Sequence, residues 1–283
     1  MSVGEESKEQ GSLSGSLKLN VLQIIKLEQA QNGLKHSDYA RYRHHCTNKL
    51  ASLYKSLKMQ HGRFKYQKRK IELHKINDSK HLQILLFSAE RAWAHAMDLK
   101  QATERVPDHR QRNHLARRLA RASRWAAELA AAASVHADNR TALETEAYHS
   151  WLSGQFYIER LTNSPILTPS TPPPSDPSKG SKSSASLVLV PERQTEAWVT
   201  ALARLTRARR IFLDLSRLAR DAESQSLCLS TADDIDSSIR FCNYKLQSTR
   251  SSFPIPQSEE DLLAFAQNNY GAEGRGGGGR LTG

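Results

Sequence analysis

No stretch of this sequence approaches the ~18–20 consecutive apolar residues that a membrane-crossing helix needs, so bilayer insertion is not expected. Cysteine is scarce: Cys46, Cys228 and Cys242 lie far apart, with no CxxC pair. That spacing excludes a disulfide framework and a cysteine-rich zinc site, and it fits a reducing compartment. The polar opening, Met1 to Ser16, has no apolar core of a secretory signal, and none is expected. Strand-like alternation is absent and valine is rare, which argues against a sheet. There is no phosphate-cradling glycine loop, no GxSxG and no HExxH. His44 and His45 are adjacent, so they point to different faces of a helix and do not share a metal in the i, i+4 manner. Asp233 and Asp234, beside Thr231, read as a solvated helix start. No cofactor, metal or catalytic activity is expected.

What is present is positive charge. Lysine and arginine number 41 against 29 acidic residues, for a net charge of +12 and an isoelectric point near 9.7. Such a balance favours polyanions, nucleic acid first. The charge is concentrated: residues 35–80 carry thirteen Lys or Arg and only Asp38, Glu72 and Asp78 as acids.

Apolar residues recur at three- and four-residue spacing almost throughout, predicting an all-α chain. Helices are expected over 17–31, with Gly33 as a stop; from a cap at Ser37 or Asp38 to Gly62; over 79–104; and from Pro107 to about 138. A fifth starts on a capping box, Thr141 with Glu144, and its small residues near Gly154 let a neighbour come close. A sixth follows Pro191, a seventh spans 231–248, and a weak amphipathic patch covers Glu259 to Phe265. Helices this long on short turns imply antiparallel pairs, a tetratricopeptide-repeat-like helical bundle without a clean 34-residue repeat. The expected organisation is a disordered 1–15, a helical domain over 16–250 and a mostly disordered glycine-rich tail over 251–283. A flexible proline- and serine-rich insertion interrupts the domain at 162–191.

Four basic clusters stand out. In the second helix Tyr39, Tyr42, Cys46 and Leu50 form an inward stripe. That leaves Arg41, His44, His45, Lys49 and Lys55 for solvent. The segment Arg63-Phe64-Lys65-Tyr66-Gln67-Lys68-Arg69-Lys70 interleaves aromatics with cations. Phe64 and Tyr66 either stack on bases while the cations hold phosphates, or anchor a loop on the core. In the fourth helix Leu115, Leu119, Ala122, Ala126 and Leu129 share one face. Arg110, Arg117, Arg121 and Arg124 lie opposite, either on nucleic acid or in solvent. Arg204, Arg207, Arg209, Arg210, Arg217 and Arg220 are scattered round their helix, which fits structure or long-range steering. Helix-turn-helix and zinc-finger signatures are absent, and an arginine-rich helix suits RNA whose deep groove a junction has opened.

The blocks Leu22-Gln23-Ile24-Ile25-Lys26, Gly33-Leu34-Lys35-His36-Ser37-Asp38-Tyr39 and Arg41-Tyr42-Arg43 with Cys46 resemble the 68-kDa subunit family of the eukaryotic signal recognition particle. So do Ala89-Glu90-Arg91-Ala92-Trp93, Leu152-Ser153-Gly154 and, faintly, Ser238-Ile239-Arg240-Phe241-Cys242. The resemblance implies a non-enzymatic RNA-binding subunit that clamps the three-way junction of the particle RNA's S domain. A basic helix and loop would bend and remodel that RNA during co-translational targeting to the endoplasmic reticulum. The positions implicated are Lys35, His36, Tyr39, Arg41, Arg43, His44, Lys49, Lys55, Lys58, Arg63, Lys65, Tyr66, Lys68, Arg69 and Lys70, with Arg117 and Arg121 added from the helix pattern. Where relatives carry a denser arginine run, this chain has Thr47-Asn48-Lys49-Leu50-Ala51-Ser52. The chain is expected to be an N-terminal fragment, so that the 72-kDa partner subunit, held through a C-terminal portion, would not bind; other particle subunits remain as partners. The implied setting is cytoplasmic and endoplasmic reticulum-associated, with a nucleolar assembly stage. The rival expectation is a helical-repeat scaffold for an acidic protein segment. Adsorption to anionic membrane lacks the amphipathic surface helix it would need.

Overall fold

The computed structural model describes residues 16–60, 71, 76–162, 184–248, 256 and 258–270. Among these it is helical: α1 Val21–Gln31, a 3₁₀ turn Leu34–His36, α2 Tyr39–Ser56, α3 Ser79–Arg105, α4 His109–His136, α5 Asn139–Thr162, α6 Ser184–Leu218, α7 Ala222–Ser248 and α8 Glu259–Tyr270. From α2 onward each helix to α7 packs on the next in the chain, and α8 returns onto α6. The turns at 106–108, 137–138 and 219–221 are too short for anything but reversal, so neighbours run antiparallel. None of the described helices is long and apolar enough to cross a membrane.

Aspartates set the helix starts. Asp38, Asp78 and Asp108 each accept a backbone N–H of the following helix, at 2.9, 3.0 and 2.8 Å, satisfying donors that a helix N-terminus leaves orphaned. Asp38, not Ser37, is therefore the cap of α2, and Pro107 stands just outside the cap of α4. Gly33 ends the first segment as expected: its φ is +109°, and a Cβ there would lie 3.0 Å from the Asp38 carbonyl oxygen.

The apolar core has two parts that share α5. Tyr42, Cys46, Leu50 and Leu53 of α2 meet Leu82 to Phe87, Ala89 and Trp93 of α3 and Leu115, Leu119 and Ala122 of α4. Val199, Leu202, Leu205, Phe212 and Leu215 of α6 meet Cys228, Ile235 and Cys242 of α7 and Leu262 and Ala266 of α8. Trp151 of α5 packs against both. Gly154 brings α5 and α6 together, since a Cβ there would fall 2.6 Å from Cγ of the fully buried Leu205. Gly154→Ala therefore loses stability although alanine is the better helix former. The overpacking cost of about 1–3 kcal/mol exceeds a propensity gain of about 1 kcal/mol. Urea denaturation should place the variant below wild type; a stabilised variant would show that Leu205 yields freely.

Several boundaries differ from expectation. Residues 17–20 are extended rather than helical. Leu17 bridges to Ala137, receiving the Asp138 N–H and donating its own to His136. Thr141 and Glu144 do not form a capping box. Asp138 caps α5 through the Thr141 N–H, and Thr141 and Glu144 sit inside that helix, buried, serving α1 instead. The Thr141 hydroxyl accepts from Leu19 N at 3.0 Å, and Glu144 Oε2 accepts from Leu22 N at 3.3 Å. The start of α1 has no side-chain cap of its own; α5 supplies it. Helix α6 begins at Ser184, inside the segment expected as an insertion, and runs through Pro191. Proline's fixed φ suits a helix and removes one ladder hydrogen bond. Helix α7 begins at Ala222, not near 231, because its polar first turns show little periodicity. Finally, the helical body extends past 250 to α8. The Ser258 hydroxyl accepts from Asp261 N at 3.0 Å, acids fill the first turn, and Leu262 and Ala266 seat the helix on α6.

Candidate nucleic-acid interface

Helix α2 divides its cations between two uses. His45 and Lys49, expected to face solvent, turn toward α1. Lys49 Nζ is 2.9 Å from Glu28 Oε1, and His45 Nε2 is 2.7 Å from Glu28 Oε2. Burial pushes the Glu28 carboxyl up, but the Lys49 ammonium and His45 outweigh it and hold it below the ordinary glutamate value. Tyr39 packs edge-on against Trp93, with ring centroids 6.0 Å apart. Arg41 and His44 are exposed and Arg43 half-exposed. Lys35 and His36 are exposed on the 3₁₀ turn, and Lys55 and Lys58 at the far end of α2. Arg63, Lys65, Tyr66, Lys68, Arg69 and Lys70 lie outside the described residues.

Packing joins clusters that are separate in sequence. Because α3 lies between α2 and α4, Arg43 and His44 of α2 reach the same cleft as Arg118 and Arg121 of α4. Arg91 and His95, one turn apart on α3, form its floor. The cleft measures about 260 Å³. It opens along α4 onto a hollow lined by His114, Arg117 and Arg124, so the arginine ladder and the α2 cluster are one surface.

This surface lacks counter-ions. Asp98, 3.5 Å from Arg43, is the carboxylate paired with its edge. Among the described residues no acid pairs with Arg91, Arg117, Arg118, Arg121 or Arg124. The contrast is α6: Arg207 pairs with Glu146 at 2.9 Å, Arg209 with Asp236, Arg210 with Asp214 and Glu259, and Arg217 with Asp214. The α6 arginines are structural, as their scatter implied. In the cleft, burial and the neighbouring Arg121 and Arg118 disfavour the charged form of Arg91. Burial, with Arg118 and Arg43 nearby, likewise pushes His95 below its ordinary value. Cations that repel one another in a partly water-shielded cleft define an anion site.

Sequence reasoning found Arg43, His44, Arg117 and Arg121 and missed Arg91, His95 and Arg118. A signal existed for Arg118: at 100° per residue it flanks the apolar stripe of Leu115 and Leu119, on the same side as Arg121. Arg91 is embedded among the buried Ala89, Glu90, Ala92 and Trp93, and nothing in the sequence shows which helix passes over it.

Beneath the cleft lies a buried polar knot. Glu90 accepts from Tyr42 Oη at 2.7 Å, Tyr148 Oη at 2.5 Å and Gln29 Nε2 at 2.9 Å, tying α1, α2, α3 and α5 together. Burial pushes its carboxyl above the ordinary value, against the pull of Tyr148, Tyr42 and Gln29. Among the described residues no group of three or more His, Cys, Asp or Glu is arranged to hold a metal.

An all-helical scaffold presenting an uncompensated arginine cleft defines a polyanion-binding helical domain. The sequence matches the family RNA-binding signal recognition particle 68 over residues 34–270, and the chain belongs to that family. It is 29% identical over 245 residues to the Drosophila melanogaster signal recognition particle subunit SRP68, covering 84% of this chain and 34% of that protein. It is 36% identical over 148 residues to the Dictyostelium discoideum subunit, covering 50% of this chain and 24% of that one. The chain thus spans about a third or less of these relatives' length. The fold is similar to the SRP68-RBD from Chaetomium thermophilum, with a TM-score of 0.58 and 23% identity over 84% of this chain and 98% of that one.

Proposed function

We propose that this chain binds the RNA of the signal recognition particle through the basic surface of α2, α3 and α4, as a subunit without catalytic activity. The single observation behind this is that Arg91, Arg117, Arg118, Arg121 and Arg124 have no carboxylate partner, whereas the α6 arginines do. Guanidinium groups kept free of protein acids are available to phosphates, which accept two N–H donors from one arginine. The finer reading is a clamp on the three-way junction of the RNA's S domain. There α2 and the α4 ladder enter a groove that the junction has widened, and the 63–70 segment adds contacts that bend the RNA. Lys35, His36, Arg41, Lys55 and Lys58 would extend the contact along α2. Lys49 and Tyr39 would act from within, holding α2 against α1 and α3. Participation in protein targeting to the endoplasmic reticulum, from the cytoplasm, follows from membership of the particle.

A gel shift with the particle RNA tests this, using an unrelated duplex of equal charge as competitor. Affinity should fall steeply with salt, with a log–log slope of several units, since each phosphate neutralised contributes roughly 0.9. The junction RNA should resist the competitor. A salt-insensitive complex would refute the phosphate-based reading. Equal displacement by an acidic polypeptide would favour the protein-scaffold reading instead.

A further inference from the structure

We propose that the α2–α3–α4 cleft is a seat for one tetrahedral oxyanion, a phosphodiester group of the bound RNA. Arg91 holds it from the floor, with Arg43, Arg118 and Arg121 converging from the walls. This rests on the RNA reading above and narrows it to one phosphate with a defined place, distinct from the exposed ladder farther along α4.

Three observations carry the assignment. First, the cleft gathers four guanidinium groups from three helices into about 260 Å³, the dimensions of a small polyatomic anion rather than a drug-sized ligand. Second, Arg91 is half-buried yet unpaired with any described carboxylate. A guanidinium taken from water without a counter-charge is costly, so its retention calls for an anion from outside. Third, its neighbours are Arg118 and Arg121, and His95 stands beside Arg118 and Arg43. The empty cleft therefore carries mutual repulsion that a phosphate would relieve. Donors already fixed by helix packing lose little freedom on binding, so this seat should be the most ordered phosphate contact on the surface. The exposed Arg117 and Arg124, by contrast, can follow the backbone through a range of positions.

Thermal melting of the chain in inorganic phosphate, against chloride at equal ionic strength, provides the test. Wild type should gain about 3 °C or more, saturably, as expected for a ligand that binds only the folded state. Arg121→Gln and Arg118→Gln should each lose most of that gain, and Arg210→Gln on α6 should keep it. Arg91→Gln should abolish it; because Arg91 is half-buried, the two wall variants carry the test if that protein folds poorly. With the particle RNA bound, phosphate should give no further gain. Arg121→Gln should also lower the RNA salt slope by about one unit. A phosphate gain equal in wild type and both wall variants would overturn the seat. A seat-specific gain that persists with RNA bound would overturn the phosphodiester assignment in favour of a free oxyanion. Failure to bind the RNA at all, with the seat-specific gain intact, would sink the RNA reading and its phosphodiester, leaving the oxyanion seat in place.

Discussion

Replacing Arg117, Arg118 and Arg121 together by glutamine should weaken binding of the particle RNA by roughly a hundred- to a thousandfold near 0.1 M salt. Each phosphate contact releases about one counter-ion, and at that salt each release is worth about a factor of ten. The log–log slope should fall by roughly three units. The protein itself should be unharmed: glutamine sustains a helix nearly as well as arginine, and like charges that repel are being removed. Arg210→Gln with Arg217→Gln removes two charges of the same sign from α6. It should change RNA affinity less than about threefold, because those guanidiniums are bound to Asp214 and Glu259. Equal losses from the two sets would mean that net charge governs binding, and that the cleft has no special role.

The second large effect belongs to Glu90. Glu90→Ala leaves two buried tyrosine hydroxyls and the Gln29 amide without their acceptor. At about 1–3 kcal/mol for each unsatisfied group, with some relief from water entry, the loss should reach about 3–5 kcal/mol in urea denaturation. The melting temperature should drop by roughly 10 °C. A loss under about 1 kcal/mol would show that the knot is not holding the four helices. The group also sets a pH dependence. Its folded carboxyl lies above the ordinary glutamate value, so the folded state binds the proton more tightly than the unfolded one. Its contribution is therefore complete below the unfolded value and is lost as pH rises through the raised folded value. Glu90→Gln, which cannot ionise, should flatten that part of the stability profile.

Much of the architecture could be read from spacing alone. The α4 stripe from Leu115 to Leu129 is buried as its periodicity requires, with Arg117, Arg121 and Arg124 exposed opposite. The stripe Tyr42, Cys46 and Leu50 faces α3 for the same reason. What spacing could not show is which helix supplies a partner. Thr141 and Glu144 fit a capping box because residues three apart share a helix face. Whether they serve their own N-terminus or another's depends on packing between residues 122 positions apart. Lys49 looked free until α1 brought Glu28 to it. The α6 arginines lose their freedom to Glu146 and Asp236, on α5 and α7. The cleft is of the same kind: each of its cations is visible in the sequence, and their convergence is a property of three helices stacked in order.

The borrowed cap of α1 has a consequence for synthesis. Translation delivers residues 19–31 more than a hundred residues before Thr141 and Glu144. Until α5 has emerged, the amides of Leu19 and Leu22 have no side chain to receive them, and a helix of eleven residues is marginal alone in water. The nascent chain must therefore close its first helix last, after the arginine cleft behind it has already taken shape.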